Sequence, residues 1–188
     1  LQSNLLKIKE ILKEKHQSLF IDEVDNMLNK VYLFGYHFAT LDIRQDSSIH
    51  HEVLEEISRL KPELIPSDFN DLDAESQIKI LSKINGRIDP AEMEDGIAKA
   101  TISSIYAMQE IQKKSGEPGA NRYIISNCGS VQEVLQPFAF LRMTGWDKPS
   151  VDVVPLFETV PDLQEAHHVM EKLYSNPEYS EHLKRRDN

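Results

Sequence analysis

At 188 residues, 40% of them apolar and 28% charged, the chain is long enough to bury a core and too apolar to be disordered. A formal net charge of -10, from 21 Lys and Arg against 31 Asp and Glu, counts against a nucleic-acid backbone or an anionic membrane as the main partner, since either needs a basic footprint. The single Cys128 excludes an intramolecular disulfide and a cysteine-based zinc cluster, no apolar run approaches a membrane span, and the start is not a signal peptide, so the chain reads as soluble and cytoplasmic.

Residues 3–15 place Leu5, Leu6, Ile8, Ile11 and Leu12 at helical spacing among lysines and glutamates. A second helix runs from Ile21 through Val24, Met27, Leu28, Val31 and Tyr32, with Gly35 as its stop. A strand is expected from Tyr36 to Arg44, with Phe38, Thr40, Asp42 and Arg44 on one face and Ala39, Leu41 and Ile43 on the other. Asp46 or Ser47 then caps a helix bearing Ile49, Val53, Leu54, Ile57 and Leu60. Residues 61–72 form a connector, marked by Pro62, Pro66, Asp68, Asn70 and Asp71.

A short helix over 73–84 and a longer one over 91–114 follow, the longer with Ile97, Thr101, Ile105, Met108 and Ile111 inward. We read 61–121 as a helical insertion. A turn at 115–121 leads to a strand at Arg122–Ser126, and Ser130 with Glu133 forms a capping box for a helix that Pro137 should bend and Gly145 should end. The strand Val151 to Phe157 comes next. Pro161 opens a last long helix, and Asn176-Pro177 breaks it before a short polar tail.

Three short strands and about seven helices give a helix-rich α/β chain with the rhythm of a parallel sheet. A (β/α) barrel places ligand groups at C-terminal strand ends, where Arg44 and Glu158 fall, but closure normally needs about eight strands. The expectation is therefore a single domain over 1–188 that is an incomplete segment of a larger barrel enzyme. Both ends, without an initial Met and with a closing Lys184-Arg-Arg-Asp-Asn188, look cut from something longer.

Arg44 offers a planar fork of donors that suits phosphate or carboxylate and could focus cationic charge for an anionic substrate. Structurally it could instead pair Asp42 or Asp46. Glu158 could ligate a divalent cation or act as acid or base, or else cap the helix opened by Pro161. His50-His51 and His167-His168 read as packing or surface pairs, because adjacent helical residues point about 100° apart. Cys128 reads as a small buried residue without a base, and the loop at Gly116–Gly119 lacks a phosphate-cradling signature.

Phe34-Gly35 leading to Leu41-Asp-Ile-Arg-Gln-Asp-Ser47, then Tyr123-Ile-Ile-Ser126, then Val153-Val-Pro-Leu-Phe-Glu-Thr159 with Asp162-Leu163, resembles in order and spacing the central part of phosphoenolpyruvate carboxylase. The resemblance extends from about Asn26 to Tyr174. It implies a cytoplasmic, homotetrameric barrel enzyme that converts phosphoenolpyruvate and bicarbonate to oxaloacetate and phosphate with Mg2+ or Mn2+. Arg44 matches the family's phosphate-binding arginine and Glu158 its metal-ligating glutamate.

The sequence lacks the family's catalytic histidine motif, the Gly-Tyr-Ser-Asp-Ser segment with the second acidic ligand, the mobile glycine-rich segment and the other substrate arginines. Asp46 stands where the family often has Glu, and Asn127-Cys128 replaces a Met-Ala-like pair outside the residues expected to function. We therefore expect a segment with part of the site, no catalytic residue, no tight metal binding and no turnover of its own. Two other readings stand beside it: a different magnesium-dependent barrel enzyme acting on a phosphorylated metabolite, or a non-catalytic helical interaction module. Arg44 and Glu158 far apart would count against both enzyme readings; a buried Arg44–Asp42 pair would favour the module.

Overall fold

A computed structural model describes residues 1–187. Helices α1 (Gln2–Lys15) and α2 (Ile21–Phe34) pack on each other as a hairpin, and β1 (Asp42–Asp46) follows. Next come α3 (Ser47–Leu60), α4 (Ala74–Lys83) and α5 (Ile97–Ser115), then β2 (Arg122–Ser126), α6 (Val131–Met143), β3 (Asp152–Pro155), α7 (Val160–Ser175) and α8 (Pro177–Arg185). Short 3-10 turns lie at Phe69–Asp71, Pro90–Glu92 and Glu117–Gly119. The three strands form one parallel sheet with β2 in the middle, Asp42 level with Arg122 and Arg122 level with Asp152. Parallel pairing aligns all three C-terminal ends on one rim of the sheet. The outer edges of β1 and β3 carry no strand among the described residues, so the sheet is open and no barrel closes.

The core gathers around α6. Val134, Leu135, Ala139, Phe140, Leu141 and Met143 are wholly enclosed, as expected of a helix apolar on all sides. Against it pack Val53 and Ile57 of α3, Leu81 of α4, and Ile102, Ile105 and Met108 of α5, so residues 61–121 share the core that backs the sheet. The capping box forms as the sequence suggests: Glu133 N donates to Ser130 Oγ at 3.3 Å and Ser130 N to Glu133 Oε2 at 2.9 Å. Helix α6 continues through Pro137.

Several boundaries differ from expectation. The strand expected from Tyr36 starts only at Asp42, because Gly35 (φ 51°) and Phe38 (φ 63°) turn the chain back on the end of α2, where Phe38 N donates to Phe34 O at 2.8 Å. Phe38 stacks on Phe34 rather than lining a sheet face, and is 76% exposed. Arg44 is consequently the third of five strand residues, not the last.

The helix expected over 91–114 divides. Asp89 caps the turn Pro90–Glu92 by accepting from Ala91 N at 2.9 Å, and α5 starts at Ile97, which faces outward. The third strand is shorter than 151–157, although Leu156 N still reaches Ile125 O at 2.9 Å.

The expected polar tail is a helix, bringing the described α-helices to eight. Asn176 accepts from Tyr179 N at 3.0 Å, Pro177 occupies the first turn where its missing N–H costs nothing, and Tyr179 and His182 are buried against Phe138. The same Asn-Pro pair that ends one helix starts the next.

Candidate functional site at the strand ends

Asp46, the last residue of β1, caps α3 by accepting from Ser48 N at 3.0 Å and Ser48 Oγ at 2.7 Å. With a third bond from Asn127 Nδ2 at 2.5 Å, these donors hold its carboxyl below the usual aspartate range, the Ser48 contacts first. From β2, Ser126 Oγ donates to Gln45 O at 3.3 Å. Cys128 N donates to Leu156 O at 3.2 Å, lacing the loop after β2 to the tail of β3. The three ends are thereby tied side by side.

This lacing brings Arg44 and Glu158 together across the rim, with Arg44 Nη2 at 3.1 Å from Glu158 Oε1. The other carboxylate oxygen accepts from Asn127 N at 2.8 Å. Side-chain exposures of 58% and 37% keep the pair wet, so the contact itself contributes at most about 1 kcal/mol. Neither alternative partner takes these groups. Asp42 pairs with Arg122 at 3.4 Å instead of Arg44, and α7 is capped by Thr159 and Asp162 instead of Glu158. An exposed guanidinium bonded to one carboxylate oxygen can turn its fork to a planar or tetrahedral oxyanion.

A divalent cation finds little here. Both Glu158 oxygens already accept hydrogen bonds, and among the described residues no group of three or more His, Cys, Asp or Glu could hold a metal ion. The described residues do not by themselves fit one. The cavity of about 620 Å³ beside β3 lies at the opposite rim, lined by Arg122 and Asp152, which begin their strands, and by Tyr179 and His182.

The remaining candidates settle as packing or surface groups. His50 is enclosed, its Nε2 3.0 Å from Tyr123 Oη, and burial pushes its imidazole down to about 4. His167 and His168 do meet, with ring centroids 3.7 Å apart on the exposed side of α7, which the 100° spacing did not anticipate. Burial pushes the Cys128 thiol up to about 12, unsuited to nucleophilic attack. The 116–119 loop is a 3-10 turn whose Pro118 carbonyl accepts from Thr40. Asn127, set aside in the sequence, is the residue that touches both Asp46 and Glu158; its replacement of an apolar residue was the only sequence signal.

The fold and site define a helix-rich α/β chain that presents a cation and a carboxylate at the C-terminal rim of a parallel sheet. The phosphoenolpyruvate carboxylase family model matches residues 1–188, and the chain belongs to that family. It is 33% identical over 177 residues, 89% of its length, to the phosphoenolpyruvate carboxylase of a Synechococcus species, and 33% identical over 184 residues, 93% of its length, to that of Thermosynechococcus vestitus. It spans 17% and 18% of those two proteins. No helix among the described residues is long and apolar enough to cross a membrane.

Proposed function

We propose that this chain is a segment of a (β/α) barrel enzyme, phosphoenolpyruvate carboxylase, with 61–121 as a helical insertion, and that Arg44 binds the phosphate of phosphoenolpyruvate. The observation that carries the reading is the 3.1 Å approach of Arg44 and Glu158, which arrive from different strands at one rim of a parallel sheet. Ligands in such sheets sit beyond the carboxyl ends of the strands. In the reaction of the proposed parent, bicarbonate attacks phosphorus and displaces the enolate to give carboxyphosphate; carboxyphosphate splits into phosphate and carbon dioxide, and the enolate attacks that carbon dioxide to form oxaloacetate. Arg44 would hold the phosphoryl oxygens during that transfer and balance their charge.

Mg2+ or Mn2+ would find one carboxylate ligand in this chain, Glu158, and the remaining oxygens would come from substrate and from carboxylates outside it. The same reading carries a cytoplasmic homotetramer as parent. It also carries no turnover by the 188 residues alone, since they hold neither the histidine nor the second acidic group that the resemblance assigns to the reaction.

Titration of the 15N-labelled chain with phosphoenolpyruvate tests the reading. Resonances of Arg44 and of the loops at 127 and 158 should shift, Arg44→Ala should abolish the response, and Arg44→Lys should weaken binding about tenfold by losing the fork while keeping the charge. Shifts confined to other parts of the chain, or oxaloacetate formed by the isolated chain in a coupled assay, would overturn it.

A further inference from the structure

Asn127 directly follows β2 with φ 52°, in the left-handed region that few residues other than glycine enter and that asparagine tolerates best. Three of its polar groups meet residues at the neighbouring strand ends. Its N–H donates to Glu158 Oε2 at 2.8 Å, its side-chain amide donates to Asp46 Oδ2 at 2.5 Å, and its carbonyl accepts from Ser47 Oγ at 2.8 Å. A carboxylate only accepts, so the side-chain contact also fixes which end of the amide faces Asp46. With φ positive, one residue reaches the tail of β3 through its backbone and the end of β1 through its side chain. Non-glycine residues held in this region concentrate where surrounding contacts over-determine them, functional sites among them.

We infer that Asn127 is a positioning residue of the strand-end site: its left-handed backbone holds one oxygen of Glu158, so that Glu158 meets Arg44 through the other oxygen alone and the guanidinium fork stays open to an oxyanion. The inference rests on the reading of Arg44 as a phosphate ligand. An arginine and a carboxylate left to themselves favour the two-bond fork-to-fork arrangement. Such a pairing would turn both donors of the fork inward, and an arriving phosphate would have to break two bonds instead of one. A backbone N–H suits the task of preventing this, because it carries no titratable proton and cannot swing away. The side chain acts on the same geometry from the other side, pinning the end of β1 two residues beyond Arg44 through Asp46.

Two substitutions separate the backbone role from the side-chain role. Asn127→Gly keeps the N–H and adopts positive φ freely. Asn127→Val puts a β-branched residue where positive φ is strongly disfavoured, and so moves the N–H away from Glu158. In the 15N-labelled chain without ligand, the position-127 amide proton should resonate far downfield, as expected of a bond to a carboxylate, and Glu158→Gln should move it upfield. Asn127→Gly should preserve the downfield resonance and Asn127→Val should lose it. Phosphoenolpyruvate affinity should then stay within about twofold of the parent chain for Asn127→Gly and fall about tenfold for Asn127→Val.

An amide resonance unmoved by Glu158→Gln overturns the inference, and so does equal behaviour of the glycine and valine variants. The Glu158→Gln comparison keeps it open to refutation even if the valine variant does not fold. Failure of the unsubstituted chain to bind phosphoenolpyruvate would instead sink the phosphate reading of Arg44, and the amide measurement would still decide what Asn127 does to Glu158.

Discussion

His50 and Tyr123 form a polar pair directly behind the site, wholly enclosed, with only one hydrogen bond between them at 3.0 Å and the other ring nitrogen of His50 without a partner. Burial accounts for the fall of the His50 imidazole to about 4, with the neighbouring His51 adding to it and Asp46 opposing it. His182, under α8, is pushed down to about 4 by burial as well, with Arg185 next and the Val151 backbone working against it. For a base with a depressed folded value, the unfolded chain binds more protons between about 4 and about 6.5. Stability is thus complete above about 6.5 and is lost progressively as pH falls through that window, on the order of 3 kcal/mol for His50. Urea midpoints measured at pH 7 and pH 5 should differ in that direction, and His50→Gln should flatten the dependence. At this scale the sequence singled out Arg44 and Glu158, which the fold brings within 3.1 Å of each other; their binding of an oxyanion and a cation is part of the proposed function. It concealed Asn127, because the sign of a backbone dihedral leaves no periodic trace.

Among the elements, those announced by side-chain chemistry were readable and those decided by backbone turns were not. Asp46 and Ser130 each cap a helix where their sequence contexts suggest, since the capping bond needs only local residues, whereas α7 is capped by Thr159 and not by the neighbouring Glu158. The start of β1 is hidden in the sequence because alternating apolar residues from Phe38 to Ile43 imitate a strand, while positive φ at Gly35 and Phe38 puts the first of them in a turn. Helix α8 is hidden in the sequence because Asn-Pro ends one helix and starts the next with the same two residues. Asn176 holds this helix in place doubly, accepting from Tyr179 N and donating through Nδ2 to Ser82 Oγ at 2.8 Å on α4. Asn176→Ala should therefore lower stability by about 1–2 kcal/mol, the sum of a lost cap and a lost hydrogen bond, as read by chemical denaturation.

For the molecule as a whole, apolar surface is distributed unevenly. Thirteen of the seventeen exposed large hydrophobic residues lie in 1–41, including Phe20, Leu33, Phe34, Tyr36 and Phe38, whereas only Leu28 of that stretch is buried. Exposed apolar surface of this kind is what a hydrophobic dye detects. The native chain should enhance the fluorescence of anilinonaphthalene sulfonate, and Leu33→Ser combined with Phe38→Ser should reduce the signal without lowering the melting temperature, because neither residue belongs to the core. That the chain holds a parallel α/β sheet was legible from three strand-to-helix motifs. The imbalance of its surface was not, because periodicity identifies the apolar face of a helix but not whether anything covers it.

The pairing of β1 with β2 has a further consequence for how the site comes into being. Asp42 and Arg122 are eighty positions apart, and Arg44 and Glu158 are 114 apart. Helical contacts close loops of a few residues and form early, but these ladders reward the chain only after its longest loops have closed. The strand-end site should thus be the last part of the molecule to acquire its order during refolding. Its amides would gain protection from exchange after those of α3, α5 and α6, so that binding competence measures completion of folding and not merely its onset.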